Sequence, residues 1–206
     1  MSSEESSGNG RRTLLRVAAA GVVAGVAGSL LSRRTEAQTI SLKGRKVLIA
    51  YFSRTGNTRE VAMQVRQRVG GDLFEVRTVQ PYPAAYRATT DQAKQEQQEN
   101  ARPALTAEVA NMAAYDVVFI GYPNWWGTLP MAYFTFLEHY DLAGKTIVPF
   151  CTHEGSRLGR SASDLHRLCP RSMIAEGIAL RGGSSGYVSS EDGRREVAEW
   201  LRKLGA

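Results

Sequence analysis

Short apolar runs alternate with longer amphipathic segments along the chain from residue 45 onward. The first run, residues 46–52, is almost continuously apolar, which is typical of a strand that is buried on both faces of a sheet. The same criterion predicts four more strands, at residues 73–79, 116–122, 145–151 and 173–181. Pro149 interrupts the fourth run, and because proline lacks the N–H that a ladder needs, we expect a local bulge there.

Helical patterns fill the intervals between these strands. The first helix is predicted to begin at Asn57, which precedes Glu60 by three residues as in a capping box, and to end at Gly70. The last helix carries apolar residues at the spacing i, i+3, i+4 and i+7, namely Val197, Trp200, Leu201 and Leu204. Other helices are predicted at residues 106–113, 130–140 and 157–169. This alternation predicts one α/β domain with a doubly wound parallel sheet of five strands and helices on both faces.

One interval breaks the alternation. After Pro81 and Pro83, residues 89–100 are rich in Gln and Glu and have almost no apolar face. A segment without an apolar face cannot pack against the sheet, so we expect either a surface excursion or a solvated helix. The chain returns to the regular pattern after Pro103.

The first 37 residues have the character of an export signal. Arg11 and Arg12 precede an apolar run, rich in Gly and Ala, at residues 17–31, and Ala37 is a small residue at a plausible cleavage site. The paired arginines resemble a twin-arginine signal, which would direct the protein to the periplasm or another extracytoplasmic space of a bacterium. A membrane anchor is the alternative, although the run is shorter than the roughly 20 apolar residues that span a bilayer.

The predicted organisation is a signal peptide at residues 1–37, a linker at residues 38–44 and one domain at residues 45–206. The signal is either removed after Ala37 or kept as a tether, which would then be the only contact with the membrane. Loss of residues 1–37 takes away five basic and three acidic residues and leaves a net charge of +4. This net charge is mild and the domain has no dense run of Lys or Arg, so the sequence does not indicate a nucleic-acid partner.

Cys151 and Cys169 are the two cysteines of the chain. They are predicted to lie at the end of a strand and at the far end of the following helix, about 15 Å apart and beyond the reach of a disulfide. We therefore expect two independent, buried thiols. The cysteines and the three histidines lack the spacing of a zinc site, so no metal is expected.

Three loops of unusual composition follow predicted strands at their carboxyl ends, where an open parallel sheet binds its ligands. The first loop consists of Ser53, Arg54, Thr55, Gly56, Asn57 and Thr58. The second loop consists of Pro123, Asn124, Trp125, Trp126, Gly127 and Thr128. The third loop consists of Thr152, His153, Glu154, Gly155 and Ser156. Residues 182–186 form a further glycine-rich loop, but it follows the last strand and is not assigned to the site.

Each of the three loops suits one part of a phosphorylated aromatic ligand. The hydroxyls and the helix N-terminus of the first loop suit a phosphate, with an ordinary capped turn as the alternative. Arg54 either adds positive charge there or points into solvent. Trp125 and Trp126 suit stacking on a flat ring, although one of them is expected to plug the core. Gly155 leaves room for the backbone to approach a ring edge.

The combination of these loops resembles the flavodoxin family. The Ser-x-Thr-Gly-x-Thr pattern of the first loop is similar to the FMN-phosphate fingerprint of that family. Residues 122–127 and the third loop resemble the ring-binding loops of a short-chain flavodoxin-like subfamily. The resemblance extends over residues 44–206 and implies a flavodoxin-like sheet with the strand order 2-1-3-4-5.

The resemblance also implies a cofactor, FMN, bound without a covalent bond and with its phosphate on the first loop. The ring would lie against Trp125 or Trp126, with the Trp126–Gly127 peptide near its N5 atom. His153 and Glu154 depart from the Gly/Ser-rich third loop of relatives. A nearby acid would disfavour an anionic reduced flavin and a protonated histidine would favour it, unless both side chains face solvent at the rim.

The implied function is that of an FMN-dependent oxidoreductase that passes electrons to a small acceptor such as a quinone. No residue is a convincing general acid or base, so no catalytic residue is assigned. Electron carriers of the family are typically acidic, and the net charge of +4 departs from that pattern. The alternatives are a non-catalytic carrier that docks a protein redox partner, and an FMN-free binding domain.

Overall fold

The computed structural model describes residues 39–206, so the signal peptide predicted at residues 1–37 lies outside the described residues. The strands are β1 (Val47–Tyr51), β2 (Asp72–Glu75), β3 (Val117–Pro123), β4 (Thr146–His153), β5 (Met173–Ile174) and β6 (Ile178–Arg181). The helices are α1 (Asn57–Val69), α2 (Tyr86–Gln98), α3 (Met131–His139), α4 (Ser161–Leu168) and α5 (Glu191–Leu204). Short 3₁₀ turns lie at Met112–Ala114, Gly183–Ser185 and Tyr187–Ser189.

The strands form one parallel sheet in the order β2-β1-β3-β4-β5, with β6 also paired to β4. This confirms the doubly wound α/β class and the order 2-1-3-4-5. The chain runs from β1 outward to β2 and then crosses back to β3 on the other side of β1. The order therefore reverses between β1 and β3, which places the ligand-binding edge at the carboxyl ends of these strands.

The fifth predicted strand is divided in two, and Pro149 is the reason. β4 keeps a one-to-one register with β3 through Pro149, so β4 has no bulge against β3, contrary to the expectation. On its other side, residues 148–149 of β4 lie opposite residues 175–177, which join β5 to β6. Since Pro149 offers no N–H to that neighbour, the extra residue lies in the fifth strand. A Cβ on Gly177 would lie 2.7 Å from the Pro149 carbonyl oxygen, so a side chain is excluded at this close approach.

Successive residues of a strand point to opposite faces of the sheet, and each face carries its own core. Leu48 and Ala50 of β1 belong to the cluster that packs under α3 and α4. Val47 and Ile49 belong to the cluster formed with α1 and α5. Both clusters are shielded by helices, which explains why the strands are apolar on both faces.

Several local predictions change in the structure. The capping box at Asn57 is not formed, because Gly56 is the N-cap and Asn57 is already helical. The helix predicted at residues 106–113 is only the 3₁₀ turn Met112–Ala114. The excursion contains a regular helix, α2, whose buried residues are only Thr89 and Ala93, as expected for a solvated helix.

The two cysteines are free and buried, which confirms the prediction of independent thiols. Burial raises the pKa of Cys151 to about 12 and that of Cys169 to about 11, so both are thiols at neutral pH. No helix within residues 39–206 is long and apolar enough to cross a membrane. In the same range no group of three or more His, Cys, Asp or Glu side chains could hold a metal ion.

Candidate functional site

The three loops meet in one cleft of about 340 Å³ at the carboxyl ends of β1, β3 and β4. Eleven of the residues predicted for the site line it: Arg54, Thr55, Asn57, Pro123, Asn124, Trp125, Thr152, His153, Glu154, Gly155 and Ser156. The six others do not line it: Ser53, Gly56, Thr58, Trp126, Gly127 and Thr128. The topology, which brings the ends of three strands together, is what assembles these distant segments of sequence.

The first loop turns sharply into α1. Gly56 adopts a left-handed conformation with φ of 94°, a geometry that glycine tolerates best, and α1 begins directly after it. The Asn57 side-chain amide donates to the Thr55 hydroxyl at 3.4 Å and to the Gly183 carbonyl oxygen at 3.0 Å. The Ser53 hydroxyl is buried and has no hydrogen-bond partner within residues 39–206. An orphaned hydroxyl beside a helix N-terminus is suited to an anion.

Thr58 lies in the first turn of α1, and it contacts the cleft-lining residue Thr152 without lining the cleft itself. It is buried, and its hydroxyl lies 2.9 Å from the hydroxyl of Thr152. This bond joins α1 to β4, and so joins the first loop to the third. In this structure Thr58 therefore stabilises the contact between α1 and β4.

Arg54 does not point freely into solvent. Its Nε atom donates to the Thr89 hydroxyl at 2.9 Å, and its Nη2 atom donates to the Ala84 carbonyl oxygen. The guanidinium thus fastens the excursion to the first loop, although the residue still lines the cleft.

The second loop is a two-residue turn at the end of β3. The Trp125 N–H donates to the Thr128 carbonyl oxygen at 3.0 Å, and the Thr128 N–H donates back to Trp125 at 3.2 Å. Trp126 and Gly127 both have positive φ, at 52° and 85°, as a type I′ turn requires. The turn is anchored on α4, because the Gly127 carbonyl accepts from the Arg160 N–H at 2.8 Å and the Thr128 hydroxyl donates to Asp164 at 2.6 Å.

The two tryptophans have different environments. Trp125 is half-buried and makes edge contacts with Phe52 and Tyr82, with ring centroids 5.4 Å and 4.9 Å apart. It packs on the core and also lines the cleft, which confirms that one tryptophan is a core plug. Trp126 is 48% exposed, and its indole N–H donates to the Thr90 carbonyl oxygen of α2 at 2.7 Å. Of the two tryptophans, Trp125 is the one that lines the cleft.

The third loop begins later than its sequence indicates, because β4 extends through Thr152 to His153. His153 is half-buried, and its Nδ1 atom accepts the Gly155 N–H at 2.9 Å. Burial, and secondarily the positive charge of Arg157, lower the pKa of His153 below its ordinary value. The imidazole is therefore neutral at neutral pH, and it lines the cleft with the exposed Glu154 beside it.

The sequence of the chain matches the model of the flavodoxin family over residues 46–204. The protein belongs to the flavodoxin family. No curated protein matches this flavodoxin in sequence.

Solved structures agree with this assignment. A structure described as a flavoprotein from Bacteroides eggerthii is 36% identical, covers 79% of this flavodoxin and 99% of its own chain, and has a TM-score of 0.67. A second, from Bacteroides uniformis, is 32% identical, covers 77% and 99% of the two chains, and has a TM-score of 0.66. A flavoprotein from Lactobacillus acidophilus in complex with FMN is 23% identical, covers 76% and 98%, and has a TM-score of 0.60, which shows a common fold.

Three residues that line the cleft of this flavodoxin were not predicted from the sequence: Tyr86, Gly182 and Gly183. Tyr86 is the first residue of α2, which the sequence indicates only as a polar excursion. The two glycines follow β6, and the Asn57 bond to Gly183 brings them to the first loop. The glycine pair at the carboxyl end of a strand is the indication that the sequence offers, but this loop follows the last strand and the phosphate fingerprint follows the first.

Proposed function

We propose that this flavodoxin binds FMN without a covalent bond in the cleft and acts as an oxidoreductase on a small acceptor such as a quinone. The observation that carries the proposal is the convergence of the three loops at the point where the strand order reverses. A cleft of about 340 Å³ is within the range of small-molecule sites, roughly 300–1,000 Å³.

The polar groups of the cleft fit a phosphate and a ring with polar edges. The Asn124 side-chain oxygen in the lining, and the Ser53 hydroxyl next to the lining residue Arg54, are both buried without a partner within residues 39–206. Such groups are costly unless a ligand satisfies them. Ser53, Thr55 and the N-terminus of α1 would hold the phosphate. Asn124 would accept a hydrogen bond from the ring edge.

The remaining residues would orient the ring and exclude water. Trp125 and Pro123 would form an apolar wall beside the ring, and Gly155 would let the backbone of the third loop approach the ring edge. The bound flavin would supply the electron transfer, and the protein would position and tune it. His153, neutral and held by Gly155, adds no positive charge at this edge.

The Trp126–Gly127 peptide is the group that we expect to tune the flavin. The Gly127 carbonyl oxygen already accepts from the Arg160 N–H, so the Trp126–Gly127 peptide is the one free to form a hydrogen bond with the flavin N5 atom. A Gly127→Ala variant has open space for its Cβ, but alanine disfavours the φ of 85°. We expect it to fold and to shift the midpoint potentials of the bound flavin, and unchanged potentials would remove this peptide from the proposal.

A non-catalytic carrier is the second candidate function. Tyr86 is 62% exposed and Trp126 is 48% exposed beside the cleft, and exposed aromatic residues of this kind suit a protein partner. Turnover with free NAD(P)H and a quinone supports the enzyme. Reduction of the flavin only by a partner protein supports the carrier.

We also propose export by the twin-arginine route, on the evidence of Arg11, Arg12 and the apolar run at residues 17–31. Fractionation of cells that express the full chain tests it. Replacement of both arginines by lysine is expected to keep the protein in the cytoplasm, and an unchanged distribution would contradict the proposal.

The test of the main proposal is the visible absorption spectrum of the purified full chain, followed by titration with FMN. Flavin bands in the isolated protein, or quenching of flavin fluorescence on addition, are expected. Ser53→Ala is expected to weaken FMN binding about tenfold, because a hydrogen bond to a charged group contributes roughly 1.5–3 kcal/mol. Ser41→Ala, at an exposed serine that precedes β1, is the matched control. The proposal would be refuted if the isolated protein contained no flavin and if micromolar FMN showed no quenching on addition.

A further inference from the structure

Two exposed arginines, Arg157 and Arg181, lie near His153, a residue that lines the cleft, and the positive charge of each lowers the pKa of its imidazole. Arg181 ends β6 and is the register partner of His153 on β4, so the two side chains share one face of the sheet. The Gly182 N–H donates to the His153 carbonyl oxygen at 2.8 Å, which fixes Arg181 beside the third loop. Arg181 therefore lies next to a residue that lines the cleft, without lining it itself.

Arg157 directly follows the third loop in sequence. Its carbonyl oxygen accepts from the Asn124 side-chain amide at 2.6 Å and from the Cys151 thiol at 3.3 Å. These bonds hold its backbone against the second loop and the end of β4. Arg157 also has a φ of 51°, a left-handed conformation that is unfavourable for arginine and recurs at functional sites.

The side chains of Arg157 and Arg181 have no ion-pair or hydrogen-bond partner in the part of the chain that the structure describes. Other arginines near the carboxyl edge of the sheet are engaged. Arg59 pairs with Glu75, and Arg160 pairs with Asp164. The two positive charges beside His153 are thus available to a ligand, whereas the charges of their neighbours are already compensated.

The acidic residues near this edge do not pair with the two arginines in the described part of the chain. Glu154 lies in the third loop, and the charge of Glu196 also acts on His153, but the Glu196 carboxylate accepts a hydrogen bond from the Tyr187 hydroxyl at 2.8 Å. Glu154 extends towards Gly183, since a Cβ on Gly183 would lie 3.1 Å from its Oε1 atom. Its carboxylate therefore lies towards the glycine pair.

We infer that Arg157 and Arg181 bind the anionic group of the small molecule that exchanges electrons in the cleft. The inference rests on the proposed function and narrows its substrate to molecules that carry a phosphate, carboxylate or sulfonate. The shared chemistry fits an anionic electron donor, such as a nicotinamide dinucleotide, and an anionic acceptor, such as a quinone that bears an acid group. A small molecule is favoured over an acidic protein because the two charges lie beside His153, which lines a concave cleft of about 340 Å³.

Equilibrium binding to the FMN-loaded full chain tests the inference. The probes are 1,4-naphthoquinone-2-sulfonate, its neutral parent 1,4-naphthoquinone, and NADP⁺, each followed by the change in the absorption of bound flavin. The sulfonate or NADP⁺ is expected to bind more tightly than the neutral quinone, and this preference is expected to fall with added salt. The two anions distinguish an acceptor site from a donor site.

Substitutions assign the effect to the two residues. Arg157→Asn removes the charge and suits the left-handed backbone, and Arg181→Gln removes the other charge. Each is expected to raise the Kd of the anionic probe about threefold to fivefold, as for a partly exposed ion pair, without changing the Kd of 1,4-naphthoquinone. Arg66→Gln, an equal charge change in the last turn of α1 and away from the cleft, is the control.

The outcomes separate this inference from the proposed function. If FMN binds but the double variant Arg157→Asn/Arg181→Gln keeps the parent affinity for both anions, the inference is wrong and the proposed function stands. Equal weakening by Arg66→Gln would likewise overturn it, because the effect would then be one of net charge. If FMN does not bind, the same titrations are followed by tryptophan fluorescence. Arginine-dependent anion binding would then support the site while the FMN proposal fails.

Discussion

The hydroxyl pair of Thr58 and Thr152 offers a direct test of how α1 is joined to β4 next to the cleft. Both side chains are almost fully buried, at 1% and 5% exposure, and their hydroxyl oxygens lie 2.9 Å apart. Replacing one threonine by valine keeps the volume but leaves the other hydroxyl buried without its partner. Because burial is nearly complete, we expect the full penalty of about 1–3 kcal/mol for each single variant.

The double variant is expected to be less damaging than the sum of the two. With both threonines replaced by valine no orphaned hydroxyl remains, so most of the loss is recovered. Unfolding of the flavin-free protein in urea, followed by circular dichroism, measures the three free energies and their coupling. In a thermal scan each single variant should lower Tm by about 2–12 °C, since 1 kcal/mol corresponds to roughly 2–4 °C at this size.

A matched control comes from Thr90, whose hydroxyl donates to the Arg87 carbonyl oxygen on the exposed face of α2. Thr90→Val is expected to change the free energy of unfolding by less than about 0.5 kcal/mol. The reasoning fails if Thr58→Val and Thr152→Val are as mild as this control, or if their losses simply add in the double variant. Either result would mean that the two hydroxyls do not satisfy each other.

Three further predictions concern the core and the titrating groups. Gly121→Ala would place a Cβ 2.1 Å from the buried ring of Phe150, so the free energy of unfolding should fall by about 1–3 kcal/mol in urea titrations, and an unchanged midpoint would contradict this packing. Burial raises the pKa of Cys151 to about 12 and that of Cys169 to about 11, so a thiol reagent at about pH 8 should react only after unfolding, whereas rapid reaction of the native protein would refute the burial. The pKa of His153 is lowered, so its NMR titration midpoint should lie below 6.5, and a midpoint at or above 6.5 would contradict this. Because the unfolded state then binds the proton more readily than the folded state, the free energy of unfolding should fall as pH decreases below about 6.5.

Much of the fold follows from local patterns. The apolar runs locate β1, β3 and β4 to within about two residues, because a strand covered on both faces must be apolar throughout. The end of a strand is less certain. Thr152 and His153 are polar, which favours a loop, yet they continue the ladder of β4 because β3 and β6 lie beside them.

Pro149 shows the same division between local and tertiary causes. The sequence indicates that a ladder must be disturbed near this proline, since it lacks a donor. Which strand takes the disturbance depends on the neighbour that faces the missing N–H. The structure places it in the fifth strand, opposite Pro149, while the register with β3 remains regular.

The sequence by itself determined the class of the fold, the three loops at the strand ends and the resemblance to flavodoxins, because periodicity and loop composition are local properties. Only the tertiary structure decided which loop residues line the cleft and which support it. Trp125 and Trp126 are adjacent in sequence, but the turn directs one to the core and the cleft and the other to α2. Tyr86 and Gly183 join the cleft because α2 and the last loop pack near the first, and contacts between segments so far apart in sequence leave no periodic trace.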